Sequence, residues 1–248
     1  MIVENDKDLR GMTRIGQICG LTLQHMLRHV EPGISTRQLD QIGAEFLKQH
    51  GAASAPITAY KFPGWTCISI NDEAAHGIPG DRVVQPGDIV NIDVSAVLED
   101  YWGDTGASIL VPPIRPDWQK LCDTTQRALK EGIAAAKAGA PIYHIGRSVQ
   151  AVADRGGFNL IRDLGGHGVG RHIHEKPSVP NYNTRRAKEP LRDGLVLTIE
   201  PFLTFGKGRI YTDKDGWTLK TTDGQISAQY EHTIIINGDN PIAVTRVD

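Results

Sequence analysis

Apolar residues recur at helical spacing at the start of the chain and again near its middle. The first run stops at Pro32-Gly33, which predicts an amphipathic helix that ends there. A second helix is predicted from Ser35 or Thr36 to just before Gly51, and a third over residues 121–138. These predictions rest on Met12, Ile15, Cys19, Leu23, Met26 and Val30, on Leu39, Ile42 and Phe46, and on Leu121, Leu129 and Ile133.

Short runs with strand-like composition, bounded by turn residues, follow these helices. They predict strands at residues 67–71, 89–98, 195–204, 217–221, 230–237 and 242–247. Segments 112–118 and 175–190 contain proline and polar residues, and we predict loops there. The mixture of helices and strands predicts an α/β (α+β) fold.

The order of these elements repeats within the chain. Gly33, Leu39 and Gly87 have counterparts 106 or 107 residues later, and each strand-opening glycine lies six residues before a carboxylate. The counterparts are Gly139, Ile145 and Gly194, and the carboxylates are Asp93 and Glu200. We predict a single domain over residues 1–248, built from two pseudo-symmetric helix-helix-strand halves, roughly 1–115 and 116–248.

Composition and charge narrow the class of protein. The net charge of −2 gives no overall attraction to nucleic acid or to an anionic membrane, and no apolar run reaches the ~18 residues that a membrane span needs. The acidic first residues do not resemble a signal peptide. Three widely spaced cysteines fit a reducing compartment. We therefore expect a cytoplasmic protein that binds neither nucleic acid nor membranes directly.

Several carboxylates stand in or beside apolar strands. The apolar runs around Asp93, Glu200 and Glu231 contain no lysine or arginine, and Asp104 opens the next strand-like run after Asp93. A buried carboxylate needs a cationic partner, a raised pKa or a metal ion. For any single carboxylate a buried ion pair explains the pattern equally well. Several carboxylates held together without a cation would repel one another, which favours a metal site.

Three of the nine histidines have a context that suggests chemistry. His167 lies among glycines in Gly165-Gly166-His167-Gly168-Val169-Gly170, His174 follows seven residues later, and His76 opens a His-Gly-Ile-Pro run. Glycines allow the backbone to approach a ligand closely. We expect the other histidines to be solvated or packed in the core: His25, His29, His50, His144, His172 and His232.

Six short motifs, which include the carboxylates and histidines above, follow one another along the chain. They are His76-Gly-Ile-Pro, Asn91-Ile-Asp-Val, Gly103-Asp-Thr, Gly166-His-Gly-Val-Gly-Arg171 with His174, Thr198-Ile-Glu-Pro and Gln229-Tyr-Glu-His-Thr233. Together they make essentially the whole chain similar to the type I methionine aminopeptidases, in the bacterial short form without an N-terminal extension. The resemblance implies a metallopeptidase catalytic domain with the pita-bread fold, an antiparallel sheet backed by helices in two pseudo-symmetric halves.

The resemblance also implies a set of five metal ligands, which match Asp93, Asp104, His167, Glu200 and Glu231. In such a set Asp104 and Glu231 bridge two divalent cations, Asp93 binds one of them, and His167 and Glu200 bind the other. This oxygen-rich set suits Mn²⁺, Fe²⁺ or Co²⁺ and can also hold Zn²⁺. A water shared by two such cations becomes a hydroxide nucleophile near neutral pH.

Catalytic and substrate-binding roles follow from the same resemblance. Glu200 is expected to move a proton to the leaving amine, His174 to stabilise the oxyanion on the scissile carbonyl, and His76 to contact the scissile amide nitrogen. The expected substrate is the N-terminal methionine of nascent proteins and peptides, preferably before a small second residue. Candidate walls of the methionine pocket are Phe62, Cys67 and Trp217, for which ordinary core packing is an equally good explanation.

The chain departs from the family pattern around this pocket. Ala75 stands where many relatives have cysteine, Ala59-Tyr60-Lys61 where they have Tyr-His-Gly, and Ile173 where phenylalanine is common. A looser pocket would alter discrimination by ~1–3 kcal/mol per methylene of mismatch. The ligand set is retained, so we expect an active enzyme. The sequence leaves open whether it is the primary enzyme of its kind in the cell or a secondary copy with altered efficiency.

Two other functions fit parts of this pattern. A prolidase or aminopeptidase P shares the fold and ligand set but usually carries an additional N-terminal domain, for which the chain has no room before His76. A non-catalytic binding protein on the same scaffold would have lost ligands and gained basic insertions. For the aminopeptidase we further expect a monomer, with association at the ribosome implied only by the family's task.

Overall fold

The computed structural model describes residues 1–247, which contain five helices. Side chains cap the two N-terminal helices: Asn5 accepts a hydrogen bond from the backbone of Asp8, and Ser35 and Gln38 form a reciprocal capping box. The helices are α1 (Asp6–Leu27), α2 (Thr36–Gln49), α3 (Ala55–Tyr60), α4 (Pro116–Ala135) and α5 (Tyr143–Gly156).

The strands of the same residues form two antiparallel sheets. They are β1 (Ala53–Ser54), β2 (Cys67–Ile70), β3 (Glu73–Ala75), β4 (Ile89–Leu98), β5 (Tyr101–Leu110), β6 (Asn159–Leu160), β7 (Gly165–Gly168), β8 (Glu175–Pro180), β9 (Val196–Ile199), β10 (Phe202–Thr204), β11 (Ile210–Thr212), β12 (Leu219–Thr221), β13 (Ser227–Ile235) and β14 (Ile242–Ala243).

The larger sheet joins the two halves of the chain through β13. Its main path runs β1-β4-β5-β13-β9-β7-β8, and β2, β6, β10 and β14 pair beside it. The smaller sheet has the order β11-β12-β3. Strand β13 pairs with β5 on one side and with β9 on the other. A side chain on β13 can therefore meet side chains from both halves.

The helices pack against the larger sheet in two groups. Helices α1 and α2 form one apolar cluster with β4 and β5, which includes Met12, Leu39 and Ile92. Helices α4 and α5 form a second cluster with β9 and β13, which includes Leu121 and Ile145. The buried stripe of each long helix supplies these contacts, as the helical spacing of apolar residues predicts.

The internal repeat predicted from the sequence has a structural counterpart. Its four glycines all have left-handed backbone angles, with φ between 77° and 98°, a region that favours glycine: Gly33, Gly87, Gly139 and Gly194. Isolated β-bridges recur at the same offset and join Ser35 with Val83 and Pro141 with Pro190. Each half thus presents two long helices and, after its strand-opening glycine, a strand of the larger sheet: β4 in the first half and β9 in the second.

The α/β class is confirmed, and two loop predictions are wrong. Residues 175–180 form the edge strand β8, and α4 already begins at Pro116. The residues of β8 mostly alternate between exposed and partly buried, so its composition resembles that of a loop. The strand predicted at 195–204 is interrupted at Glu200-Pro201, and those predicted at 217–221 and 242–247 are shorter.

Within residues 1–247, no helix combines the length and apolarity that a membrane crossing requires.

Candidate metal centre

Two neighbouring strands carry the first pair of carboxylates. Asp93 of β4 lies opposite Gly106 of β5, and Asp104 of β5 lies opposite Ser95 of β4. Paired residues share a face of the sheet, so both carboxylates project from the same side. Ile92, one residue before Asp93, is fully buried in the helix-packed cluster on the opposite face.

The central strand adds a third carboxylate. Glu231 of β13 lies opposite Gly106, so this glycine separates it from Asp93 across the sheet. Gln229 Nε2 donates a hydrogen bond to Glu231 Oε2 at 2.9 Å, and Asn91 Nδ2 donates to Gln229 Oε1 at 2.8 Å. This buried chain of side-chain amides fixes one oxygen of Glu231 and leaves the other free.

The second half of the chain contributes His167 on β7 and Glu200 directly after β9. The hydroxyl of Thr198 connects them, because it accepts from the backbone N–H of His167 at 3.1 Å and donates to Glu200 Oε1 at 2.9 Å. His167 Nδ1 lies 3.0 Å from the carbonyl oxygen of Gly168, so Nδ1 carries the proton and Nε2 keeps its lone pair. Nε2 lies 3.4 Å from Glu200 Oε1 and 3.7 Å from Asp104 Oδ2.

The five predicted ligand side chains therefore converge. One ligand atom each of Asp104, His167 and Glu231 lie within 4.8 Å of one another, and Asp93 and Glu200 line the same cleft. Among residues 1–247, none of the four carboxylates pairs with lysine or arginine. In the same residues Asp104 Oδ1 and Glu231 Oε1 are buried without a hydrogen-bond partner.

Burial and mutual repulsion make this cluster favour protonated carboxyls. Burial raises the pKa of Asp93 to about 6. Burial, reinforced by neighbouring carboxylates, raises the pKa of Asp104, Glu200 and Glu231 well above the ordinary range. Burial also lowers the pKa of His167 to about 4, so its imidazole is neutral at pH 7. A bound cation would instead favour the ionised carboxylates and lower the pKa of each.

The other two predicted histidines line the same cleft. His76 follows β3 with a left-handed backbone (φ 56°), and His174 lies in the turn between β7 and β8, its ring centroid 4.3 Å from that of His167. Burial lowers the pKa of both His76 and His174. Tyr60 Oη lies 2.6 Å from His174 Nδ1. Sequence reasoning noted Tyr60 only as a departure from the family pattern, and that departure was the available signal.

The same cleft has a volume of about 430 Å³ and an apolar region. Phe62 and Trp217 meet edge to face with centroids 5.2 Å apart, and Cys67 is buried beside them in the lining. Phe202, which sequence reasoning did not name, also lines the cleft from β10. The burial that surrounds Cys67 raises the pKa of its thiol, which therefore stays neutral. An apolar side chain fits this region beside the carboxylates.

The donor set fits divalent metal ions. Carboxylate oxygens that the protein leaves without hydrogen bonds, together with an imidazole lone pair on His167, are the ligands that such ions prefer. A peptide whose first side chain occupied the apolar region would have its first peptide bond near the carboxylates. The arrangement is thus suited to metal-assisted hydrolysis at a peptide terminus.

Comparisons with known proteins agree with this geometry. The model of metallopeptidase family M24 matches residues 10–238. Methionine aminopeptidase 2 of Bacillus subtilis (strain 168) is 44% identical over 249 residues, covering 100% of both chains. The crystal structure of methionine aminopeptidase from Rickettsia prowazekii superposes with a TM-score of 0.95 at 36% identity, covering 99% of this chain and 100% of that one. Prolidase from Pyrococcus furiosus shares the fold alone, with a TM-score of 0.78 at 21% identity over 100% of this chain and 66% of that one.

Proposed function

Because the chain belongs to metallopeptidase family M24, we infer that it is an aminopeptidase that removes methionine from the N-termini of nascent proteins and peptides. The observation that carries this function is the convergence of four carboxylates and one imidazole, with no lysine or arginine paired to them in the described residues, in a cleft with an apolar region. The likeness to prolidases extends to the fold and leaves the Xaa-Pro alternative without a specific observation in its favour.

The enzyme uses divalent metal, and we propose that it binds two ions of cobalt, manganese, iron or zinc. Asp93 would hold one ion, His167 and Glu200 the other, and Asp104 and Glu231 would bridge them. The free buried oxygens on both proposed bridging residues support this assignment. When bound, such cations polarise a carbonyl group and lower the pKa of a water molecule.

The surrounding residues would bind substrate and move protons. Glu200, whose pKa is raised by burial and by neighbouring carboxylates, would accept a proton and deliver it to the leaving amine. His174 would donate a hydrogen bond to the oxygen of the scissile carbonyl, and His76 would contact the amide nitrogen. Phe62, Cys67 and Trp217 would enclose the methionine side chain.

The setting of the reaction is part of the same proposal. We propose that the enzyme acts in the cytoplasm, where nascent chains emerge, and near the ribosome that delivers them. Three free, buried cysteines are compatible with a reducing compartment. We also propose that it works as a monomer, because one chain supplies all five proposed ligands and the whole cleft.

Peptide hydrolysis tests this function. Purified protein is incubated in turn with Co²⁺, Mn²⁺, Fe²⁺ or Zn²⁺ and assayed with Met-Ala-Ser, Met-Leu-Ser and Ala-Pro, and bound metal is counted by mass spectrometry. We expect methionine release, faster before alanine than before leucine, and two ions per chain. The Asp104→Asn variant is the control and should retain neither metal nor activity. Preferential cleavage of Ala-Pro would favour the prolidase, and no turnover with any metal would favour a binding protein.

A further inference from the structure

The side chain of Tyr60 reaches the cleft from the end of α3. This short helix is fixed at both ends: the Ser54 hydroxyl accepts from Ile57 N–H at 3.3 Å, and Lys61, with a left-handed φ of 59°, donates its N–H to the Ile57 carbonyl at 3.0 Å. Thr58 also donates its hydroxyl to the Ser54 carbonyl at 2.6 Å. Tyr60 therefore extends from a defined position and not from a free loop.

The histidine that Tyr60 meets lies in an ordered turn 114 residues further along the chain. Glu175 Oε1 holds this turn by accepting from the backbone N–H groups of Arg171 at 2.6 Å and His172 at 2.8 Å. These contacts fix the turn that carries His174 but form no hydrogen bond with its ring. Among residues 1–247, Tyr60 is the one hydrogen-bond partner of that ring, with Oη 2.6 Å from Nδ1.

The choice of nitrogen matters for the chemistry. A neutral imidazole carries one N–H, so a proton donated to Nδ1 by a partner leaves the ring's own proton on Nε2. A phenol remains protonated at neutral pH and can act as that donor. We propose that Tyr60 is a positioning residue: its hydroxyl donates to Nδ1 of His174, which fixes the rotation of the ring and keeps Nε2–H available as the donor to the scissile carbonyl oxygen. This inference rests on the proposed function, in which His174 has that donor role.

Removal of the hydroxyl alone tests the role. In Tyr60→Phe the aromatic ring stays, so any wall that it forms for the cleft is kept. We expect kcat for Met-Ala-Ser to fall about tenfold, the effect of one lost hydrogen bond, with KM within about twofold of the parent. Tyr211→Phe is the matched control, because Tyr211 is 47% exposed against 46% for Tyr60 and its hydroxyl forms no hydrogen bond in the described residues. It should leave both constants unchanged.

A double-mutant cycle separates positioning from a general structural effect. In a His174→Ala background, Tyr60→Phe should produce no further loss, because the two groups act as one unit. If Tyr60→Phe lowers kcat by the same factor with and without His174, the proposal is wrong. An unchanged kcat in Tyr60→Phe, with an active parent, overturns it as well.

Nitrogen NMR of ¹⁵N-histidine-labelled, Zn²⁺-loaded protein provides a readout that needs no turnover, with the His174→Ala spectrum identifying the resonances. We expect Nε2 to be protonated and Nδ1 to have the shift of a hydrogen-bonded acceptor, which moves towards that of a free ring nitrogen in Tyr60→Phe. A proton on Nδ1 in the parent protein overturns the inference. Failure of methionine release would instead contradict the proposed function. The NMR result would still show whether Tyr60 donates a hydrogen bond to Nδ1 of His174.

Discussion

At the scale of single residues, the free oxygens of Asp104 and Glu231 indicate that this site requires a bound ligand. Each belongs to a carboxyl whose pKa is raised by burial and by nearby acids, and each is buried without a hydrogen bond within residues 1–247. Leaving a buried polar atom unsatisfied costs about 1–3 kcal/mol, and more when it is charged. A folded protein tolerates such oxygens when they bind a ligand that is not part of the polypeptide.

The proposed oxyanion role of His174 can be tested directly. His174→Ala should lower kcat by ~10²–10³-fold and leave the metal content nearly unchanged, because the ring lies beside His167 without being a proposed ligand. Steady-state kinetics and metal analysis check this expectation. His172→Ala is the control, since only its backbone N–H bonds to Glu175. Loss of metal in His174→Ala would mean that a ligand had been misassigned.

The candidate ligands could be predicted from the sequence, but the side chains that orient the site residues could not. Asp93, Glu200 and Glu231 stand out because acids inside apolar strands need an explanation, and His167 stands out because of its glycines. The hydrogen bond of Tyr60 could not be predicted in this way. It joins two distant segments of the chain, and no local pattern specifies where α3 ends relative to the turn after β7.

At the scale of elements, Gly106 of β5 lies between two strands that carry acids and makes room for the amide side chain that orients one of them. It lies on β5 between Asp93 on β4 and Glu231 on β13. A Cβ atom at this position would come within 2.5 Å of Gln229 Oε1 and 2.8 Å of Nε2. The absence of a side chain at Gly106 therefore leaves room for the amide that orients Glu231.

Substitution of this glycine should disturb the metal centre. We expect Gly106→Ala to displace Gln229, to weaken metal affinity about 10- to 100-fold and to lower the free energy of unfolding by ~1–3 kcal/mol. Metal titration calorimetry and chemical denaturation measure the two effects. Gly103→Ala on the same strand is the control, because its new methyl would make ordinary contacts of 3.4 Å or more with α1. Equal metal affinities in the two variants would contradict the argument.

Elements with strong periodicity were predictable, and those with weak local signals were not. The long helices α1, α2 and α4 and the strands β4 and β13 follow from apolar spacing, because each buries a complete face. The edge strand β8 was missed because the exposed side of such a strand is polar and because it contains two prolines. Its pairing with β7 is a tertiary property that local composition does not encode.

At the scale of the whole molecule, the cluster links stability to pH and metal. The carboxyls of Asp104, Glu200 and Glu231 have folded-state pKa values raised by burial and by one another, so the folded protein holds protons that the unfolded chain releases above about pH 4. Their stabilising contribution is complete below that pH and is lost as pH rises through the raised values. The lowered pKa of His167, about 4, acts oppositely as pH falls through about 6.5, where an unfolded histidine gains a proton.

Metal-free protein should therefore lose stability relative to Glu231→Gln as pH rises above about 4, because both proteins share the histidines and only the parent carries the Glu231 carboxyl, whose pKa is raised. Mn²⁺ should stabilise the protein more at higher pH, because the ligands must lose their protons to bind it. Thermal unfolding of the parent and of Glu231→Gln between about pH 5 and 8.5, with EDTA or with Mn²⁺, measures both trends. A stability difference between the metal-free parent and Glu231→Gln that stays constant with pH would refute the linkage.

The central position of β13 also limits how the chain can change in length. Residues along a strand alternate between its two faces, so inserting or deleting one residue before Glu231 would turn this acid from the cleft towards the helices. The same change would break the pairing with β5 and with β9 at once, since β13 contacts both. Over evolutionary time, gains and losses of residues should accumulate in the outer loops, while this strand diverges by substitution alone.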